Sequence, residues 1–208
     1  MPHVPASKTV YLPHGVDLNL FQSSTHCPPA IQQDRPCVGF YGSLNTWLDY
    51  ALLDYLAEQR PDIQFCLIGH KECRQAELLQ NKNIQILPAV PHHQLVNYLQ
   101  HWSIAILPFV DNRQIQACNP LKLREYLAAG CPVISSHYQA ANDYAPPVII
   151  AKTPQQWLDA IDHILQFSSE QRALYKQSAR QRVQGESWQQ RVEQILNQIQ
   201  TIRHQHHK

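Results

Sequence analysis

CNPLKLREYLAAGCPVISS, residues 118–136, places a well-bounded helix directly before a short apolar run. Asn119 is a good N-cap, Pro120 suits the first helical position, and Gly130 suits the position just past the last turn. The run PVISS at 132–136 has the length and composition of a strand that is buried on both faces of a sheet. The stretch therefore predicts one helix-to-strand step of an α/β domain.

The same alternation continues from this stretch toward both ends of the chain. Further apolar runs predict strands at 37–43, 63–69, 84–87, 103–109 and 148–151. Helical spacing of apolar residues predicts helices at 46–60, 72–79, 91–102 and 119–130, and others that open near Thr153, Ser169 and Ser187. Buried strands that alternate with helices predict a parallel sheet covered on both faces, which is a doubly wound, Rossmann-like domain. Ligands of such a sheet bind outside the carboxyl ends of its strands.

The predicted helix at 46–60 begins with two candidate capping residues. Thr46 is the predicted N-cap, and Asp49 follows it in the arrangement of a capping box. Asp49 could serve the helix dipole or contact a sugar, and we expect the helix-dipole role. Pro61 ends the helix, because proline cannot continue it.

Composition and charge exclude several classes of protein. The chain has 208 residues, of which 44% are hydrophobic, and this suits one α/β domain with its own core. A net charge of +1 with scattered basic residues argues against a nucleic-acid-binding protein, which would carry a basic stripe. A mild basic cluster in the last helices is expected to be a solvated helix face. Its members are Arg172, Lys176, Arg180, Arg182 and Arg191.

Targeting signals and metal sites are not expected. No apolar run reaches the length of a membrane span, and the first residues lack the charged start and apolar core of a signal peptide. The six cysteines show no CxxC spacing, which indicates reduced thiols in a cytoplasmic protein. The histidines are dispersed and lack the paired ligand sets of a zinc site. Those that could trap a metal are His92 with His93 and the terminal His204, His206 and His207.

Lys122 does not suit the predicted helix as an isolated element. It lies in the first turn, where the positive end of the helix dipole disfavours a cation by roughly 0.3–1 kcal/mol. A bound phosphate would reverse this effect, because free backbone N–H groups and the ammonium would converge on one anion. Glu125, one turn later, faces a similar direction and could accept hydrogen bonds from a ribose diol. Helix physics alone favours the alternative, in which Lys122 extends into solvent and Glu125 is a surface acid.

Four segments together resemble the donor-binding half of GT-B glycosyltransferases related to family 4. EYLAAGCPV at 125–133 resembles the signature that follows the nucleotide-sugar loop, and VGFYGSL at 38–44 resembles the glycine-containing loop after the first strand of the donor domain. YLPHGVDLNLF at 11–21 resembles the segment just after the interdomain linker. SWQQRVEQIL at 187–196 resembles the final helix, which in that family crosses back onto the acceptor domain. The resemblance covers almost the whole chain, in the right order.

The resemblance implies which residues form the donor site. Gly42 would let the backbone approach the diphosphate, Lys122 would contact the phosphates, and Glu125 would hold the ribose hydroxyls. The loops after the second and third strands would line the base, and the loop 112–119 would cover the sugar. Lys122 and Glu125 are the expected catalytic residues, and Lys122 with the helix amides would stabilise charge on the departing diphosphate. The expected contacts to the nucleotide sugar are Gly42, Ser43, Gly69, His70, Val90, Cys118, Asn119, Pro120, Leu121, Lys122 and Glu125.

The chain also departs from the family pattern. The first of the family's two paired acids would fall at Ala117, so one expected contact to a sugar hydroxyl is missing. The usual arginine after the first glycine is Ser43, and the usual lysine that follows is Leu48. Lys122 is the remaining phosphate-binding cation, and Arg113 could supply the charge that Ser43 lacks.

The resemblance implies half of a larger enzyme. Residues 1–34 would form a lead-in strand and linker loop, and 35–208 the Rossmann-like donor domain, with the crossing helix at 186–202. The expected reaction is transfer of a hexose from a UDP- or GDP-sugar to a glycan, lipid or other acceptor, as in polysaccharide biosynthesis. The resemblance implies a retaining mechanism and no required metal cofactor.

An N-terminal domain outside this chain would hold that acceptor and could bring the enzyme to a membrane surface. The acceptor domain would belong to the same protein or to a separate subunit, and an exposed apolar strip on the lead-in and final helix would favour the separate subunit. A further alternative is a non-catalytic module that only binds the nucleotide sugar.

Overall fold

One parallel sheet organises residues 9–23, 26–77 and 79–206, which the computed structural model describes. Within these ranges six strands are hydrogen-bonded in the order β3-β2-β1-β4-β5-β6, and every neighbouring pair is parallel. The strands are β1 Cys37–Tyr41, β2 Gln64–Ile68, β3 Ile84–Leu87, β4 Ile104–Leu107, β5 Val133–Ser136 and β6 Ile149–Ala151. The six strands predicted from the apolar runs are confirmed. The winding reverses between β1 and β4, where such sheets form their ligand-binding crevice.

Helices pack against this sheet and bury its central strands. They are α1 Leu18–Gln22, α2 Tyr50–Gln59, α3 His92–Leu99, α4 Arg113–Gln116, α5 Leu121–Ala129, α6 Gln139–Asn142, α7 Pro154–Leu165, α8 Ser169–Val183 and α9 Trp188–His206. Helix α5 packs against α1, α3 and α8, while α2 packs against α7. A 3₁₀ helix at Arg74–Glu77 replaces the predicted helix at 72–79, of which Leu78 lies outside the described residues. No helix in the described ranges is both long enough and apolar enough to cross a membrane.

Helix α2 begins later than predicted. Its N-cap is Asp49, whose Oδ1 accepts a hydrogen bond from the backbone N–H of Leu52 at 2.9 Å. The prediction of Thr46 as the N-cap is therefore wrong. The loop before the helix is held instead by the segment that follows β2, since the N–H of Leu44 donates to the carbonyl of His70 at 2.9 Å. Local helical spacing carries no signal for such a tertiary contact.

Helix α5 begins directly after Pro120, and the prediction of Asn119 as its side-chain cap is wrong. Asn119 donates from Nδ2 to the hydroxyl of Tyr11 at 2.8 Å and accepts at Oδ1 from Nη1 of Arg124 at 2.7 Å. Pro120 occupies the N-cap position and provides no capping hydrogen bond. The end of the helix is as predicted, because Gly130 adopts a left-handed conformation with φ of +77°.

The predicted lead-in and linker at 1–34 is only partly described. Residues 1–8 and 24–25 lie outside the described ranges. In the described part, Val16 forms a parallel bridge with Ser187, and helix α1 follows directly after it. The start of the chain's described portion is thus attached to the beginning of α9.

The basic cluster in the last helices is not merely a solvated face, and that prediction is wrong for its arginines, whereas Lys176 is exposed. Its arginines donate hydrogen bonds to backbone carbonyls of other elements. The pairs are Arg172 with Ile164 and Leu165, Arg180 with Ala129, Arg182 with Asp143, and Arg191 with His14. Several of these carbonyls belong to helix C-termini, where cations and side-chain donors are favourable. The arginines therefore attach α8 and α9 to the rest of the domain.

Candidate functional site

Two glycine turns lie at the carboxyl ends of β1 and β2. Gly42 and Gly69 have φ values of +137° and +154°, which residues with side chains rarely adopt. The two turns also approach each other closely, because a Cβ atom on Gly69 would lie 1.9 Å from the carbonyl oxygen of Gly42. Glycine is therefore required at both positions, and both turns present bare backbone at this edge of the sheet.

The ammonium group of Lys122 lies against the first of these turns. A Cβ atom on Gly42 would lie 2.5 Å from Nζ of Lys122. Nζ is 5.0 Å from the centroid of the Phe40 ring and 5.9 Å from that of Phe109, both within the range of cation–π contacts. Within the described residues it makes no ion pair or hydrogen bond. Burial lowers the pKa of Lys122, so the side chain does not extend freely into solvent.

A cavity of about 390 Å³ lies at the start of α5. It brings together predicted donor contacts, namely Cys118, Pro120, Leu121, Lys122 and Glu125. Gln114 and Ile115, from the loop that was predicted to cover the sugar, line it as well. The remaining lining residues were not predicted as donor contacts, namely Tyr41, Trp47, His92 and Phe109. Because α5 has no side-chain cap, its first backbone N–H groups need another partner. The cavity therefore combines a half-buried cation, an uncapped helix N-terminus and aromatic walls.

A second cavity of about 180 Å³ neighbours the first, and Tyr41 lines both. It contains the other predicted contacts near the glycine turns, namely Gly42, Ser43, Gly69, His70 and Val90. The rest of its lining is apolar, from Ile68, Ala89 and Leu95. The predicted donor residues, apart from Asn119, thus occupy two neighbouring compartments along the carboxyl edge of the sheet.

Glu125 is a buried acid on the wall of the larger cavity, with 3% of its surface exposed. Its Oε2 accepts a hydrogen bond from the hydroxyl of Tyr41 at 2.6 Å, and its Oε1 lies 2.7 Å from Nε2 of His92. Burial, reinforced by the neighbouring Glu125, raises the pKa of Tyr41 well above its ordinary value, so the phenol keeps its proton. The alternative in which Glu125 is a surface acid is therefore wrong.

Other candidate residues have different surroundings. Asn119 lines neither of the two cavities, because its amide is hydrogen-bonded to Tyr11 and Arg124. The hydroxyl of Ser43 donates to Glu72 at 2.8 Å, and the amide of Asn45 donates to the same carboxylate at 2.7 Å. These bonds, chiefly the one from Asn45, lower the pKa of Glu72. Arg113 is exposed at the first position of α4 and lines neither cavity.

Metal-binding side chains do not cluster in the described part of the chain. No group of three or more His, Cys, Asp or Glu residues there could hold a metal ion. His92, one of the histidines considered as a possible metal trap, is bonded to Glu125. The side chains of His204 and His206, and all of His207, lie outside the described residues.

The sequence matches one protein family over most of its length. The glycosyl transferase-like family matches residues 50–197. TuaH of Bacillus subtilis (strain 168), which is named as a teichuronic acid biosynthesis glycosyltransferase, is 26% identical over 186 residues. That alignment covers 84% of this chain and 46% of TuaH.

Solved structures share the fold at low sequence identity. A glycosyltransferase from Rickettsia africae ESF-5 superposes with a TM-score of 0.76 and 16% identity, covering 93% of this chain and 57% of that one. The Escherichia coli trehalose-6-phosphate enzyme bound with UDP-2-fluoro glucose superposes with a TM-score of 0.71 and 13% identity, covering 88% and 50%. This chain spans about half the length of the relatives it matches. It belongs to the glycosyl transferase-like family, and its parallel sheet has the Rossmann-like fold of GT-B glycosyltransferases.

Proposed function

We propose that this chain binds the donor of a glycosyltransferase, a nucleoside diphosphate sugar, and presents its hexose for transfer to an acceptor. The observation that carries this proposal is the ammonium of Lys122 beside the uncapped start of α5, where it makes no ion pair or hydrogen bond within the described residues. Free helix N–H groups and a cation favour an anion at the same place. A diphosphate bound there would offset the cost of burying the ammonium and would cap the helix.

The other parts of the donor have places on either side of this anion site. Glu125 offers carboxylate oxygens to the ribose hydroxyls at the wall of the larger cavity. The base would enter the smaller, mainly apolar cavity beside Gly69 and Val90. The sugar would lie against the loop 112–119, which contributes Gln114, Ile115 and Cys118 to the larger cavity. Cavities of about 390 and 180 Å³ together fall within the range of roughly 300–1,000 Å³ for small-molecule sites.

Transfer breaks the bond between the anomeric carbon of the sugar and the diphosphate. The acceptor hydroxyl forms the new bond to that carbon and loses its proton, while negative charge develops on the leaving diphosphate. Lys122 and the N–H groups at the start of α5 would stabilise that charge without reorganising, which is the main electrostatic contribution to such a reaction. A UDP- or GDP-hexose donor, a retaining outcome and no required metal are parts of this proposal. The UDP-2-fluoro glucose in the E. coli neighbour supports a uridine donor.

The acceptor would be held by an acceptor-binding part outside this chain, because the relatives are about twice as long. Helix α9 exposes large apolar side chains at helical spacing, and the described lead-in exposes more. They are Trp188, Val192, Ile195, Leu196, Ile199 and Ile202 on α9, with Val10, Tyr11 and Leu12. Contiguous exposed apolar surface marks interaction sites. We propose that the acceptor-binding part, of the same protein or of a separate subunit, packs there. The name of TuaH supports a glycan acceptor.

The first test is nucleotide binding measured by isothermal titration calorimetry. UDP, GDP, ADP and their common sugar conjugates are titrated into the purified chain and into Lys122→Ala. Lys82→Ala is the matched control, since Lys82 is exposed just before β3, at the opposite edge of the sheet from the cavities. We expect saturation by a uridine or guanosine nucleotide, weakened about tenfold or more (about 1.4 kcal/mol) in Lys122→Ala and unchanged in Lys82→Ala.

The possible outcomes separate the candidate functions. No saturation by any of these nucleotides would contradict the donor-site proposal. Saturation without transfer, when the acceptor-binding part is supplied, would favour a non-catalytic binding module. Ala117 supports considering that second function, because it stands where the family has an acid for the sugar hydroxyls.

A further inference from the structure

The carboxylate of Glu125 is held by donors from two distant parts of the chain. Oε2 accepts from the hydroxyl of Tyr41 at the end of β1, and Oε1 is 2.7 Å from Nε2 of His92 at the start of α3. An ionised carboxylate only accepts hydrogen bonds, so Nε2 of His92 carries the proton in this contact. Each oxygen has about two acceptor sites, and each has one of them occupied. One site therefore remains on each oxygen, as a vicinal diol would require.

We propose that His92 is a positioning residue, which, together with Tyr41, orients Glu125 so that its two oxygens accept from the two hydroxyls of the donor's ribose. This inference rests on the proposed function, because it requires that a nucleotide occupies the larger cavity. It adds a residue and a task that the family signature does not contain. His92, Tyr41 and Glu125 all line that cavity.

His92 is itself fixed in place. Its ring packs edge-on against Phe21, with centroids 5.6 Å apart and an interplanar angle of 72°. Phe21 is fully buried in α1, so this contact holds the imidazole from the side of the core. The side chain of His92 is nevertheless 56% exposed, whereas that of Glu125 is 4% exposed. The imidazole therefore lies between the open mouth of the cavity and the buried carboxylate.

Loss of His92 would leave Glu125 with one orienting bond. A glutamate side chain has several rotatable bonds, and a single bond from Tyr41 does not fix the plane of its carboxylate. Oε1 would also lose its partner in a poorly hydrated place, which favours rotation of the carboxylate toward Lys122 or toward water. The ribose hydroxyls would then meet a misaligned acceptor, while the diphosphate contacts at Lys122 would remain.

The test compares ribonucleotides with their 2′-deoxy counterparts. Dissociation constants for UDP, 2′-deoxy-UDP, GDP and 2′-deoxy-GDP are measured by calorimetry with the wild-type chain and with His92→Ala, His92→Gln, Tyr41→Phe and His93→Ala. The ratio of the deoxy to the ribo dissociation constant reports the ribose contacts alone, because the base and phosphates are unchanged. Glutamine retains a donor near the place of Nε2, and the exposed His93 is the adjacent control.

We expect the wild-type chain to prefer the ribonucleotide by about tenfold or more, as for loss of a hydrogen bond to a charged group. The ratio should fall to about threefold or less in His92→Ala and in Tyr41→Phe, and it should persist in His92→Gln and His93→Ala. A merely structural role of His92 would weaken both nucleotides equally and leave the ratio unchanged, which would overturn the inference while the donor site stands. If no ribonucleotide saturates the wild-type chain, the proposed function fails, and this inference fails with it.

Discussion

Lys122 is expected to lower the stability of the ligand-free protein. Its ammonium is partly desolvated, and among the described residues it lies near aromatic rings and forms no ion pair. Methionine has a similar length and no charge. Lys122→Met should therefore raise the melting temperature by about 2–4 °C, which is about 1 kcal/mol in a chain of this size. Differential scanning calorimetry checks this, and the same variant should no longer bind the nucleotide.

The stabilisation produced by Lys122→Met should depend on pH in a defined direction. Burial lowers the pKa of Lys122 in the folded state, so between that pKa and the ordinary lysine value the unfolded chain binds more protons than the folded one. The wild-type protein thus regains stability as pH rises through this window. The advantage of Lys122→Met should shrink from about pH 7 toward about pH 10. Lys82→Met, at an exposed lysine, should show no such trend, and an advantage that grows with pH would contradict the argument.

The candidate site could be predicted from sequence only where a local pattern carries the signal. A cation in a first helical turn is unfavourable without an anion, but the helix alone favours a solvated Lys122. The resemblance to GT-B glycosyltransferases is what implies a donor-site role for Lys122 and for Gly42. His92 and Tyr41 belong to other segments, and neither has a spacing relative to Glu125 that indicates contact. Their roles depend on how α3 and β1 pack around α5, which only the folded chain shows.

Glu186 attaches helix α5 to the C-terminal helices of the domain. Glu186, between α8 and α9, accepts from Nε of Arg124 at 2.7 Å and from the hydroxyl of Tyr144 at 2.6 Å. Arg124 is 3% exposed, so removal of Glu186 leaves a buried charge without its ionic partner. Glu186→Ala should lower the free energy of unfolding by about 3 kcal/mol, measured by urea denaturation. Glu193→Ala, on the exposed part of α9, is the control and should change it little.

The two ends of α5 show why helix boundaries differ in predictability. Gly130 ends the helix because the left-handed conformation there favours glycine, a constraint that is local and visible in the sequence. Asn119 has the composition of an N-cap, but Tyr11 and Arg124 engage its amide from outside the first turn. Capping preferences therefore fail where a tertiary partner offers the side chain better bonds. At α2 the cause is local, because the hydroxyl of Thr46 donates to the adjacent Asn45 and Asp49 caps the helix.

The fold itself was predictable because the strands are short, mainly apolar segments, and β1, β2 and β4 are buried along their whole length, as expected for strands that have helices on both faces. The order of the strands then brings the ends of β1, β2 and β3 beside the start of α5, although these segments are far apart in the chain. The spatial order β3-β2-β1-β4-β5-β6 is not contained in any single apolar run. Consequently the edge that carries the proposed donor site could be anticipated, whereas the division into two cavities could not.

The exposed face of α9 predicts self-association of the chain when its proposed covering part is missing. Ile195 and Ile199 lie one turn apart on that face, with 42% and 47% of their surfaces exposed. Sedimentation of the wild-type chain should therefore show a mass that increases with concentration, whereas the double variant Ile195→Asp with Ile199→Asp should remain monomeric. The matched control, Gln194→Asp with Gln198→Asp, adds the same charge at exposed polar positions and should behave like the wild type. Neither isoleucine lines the two cavities, so nucleotide affinity should be equal in all three proteins. A wild-type chain that stays monomeric at every concentration would contradict this role for α9. Exposure of the apolar face to water would then carry no free-energy cost that association could relieve.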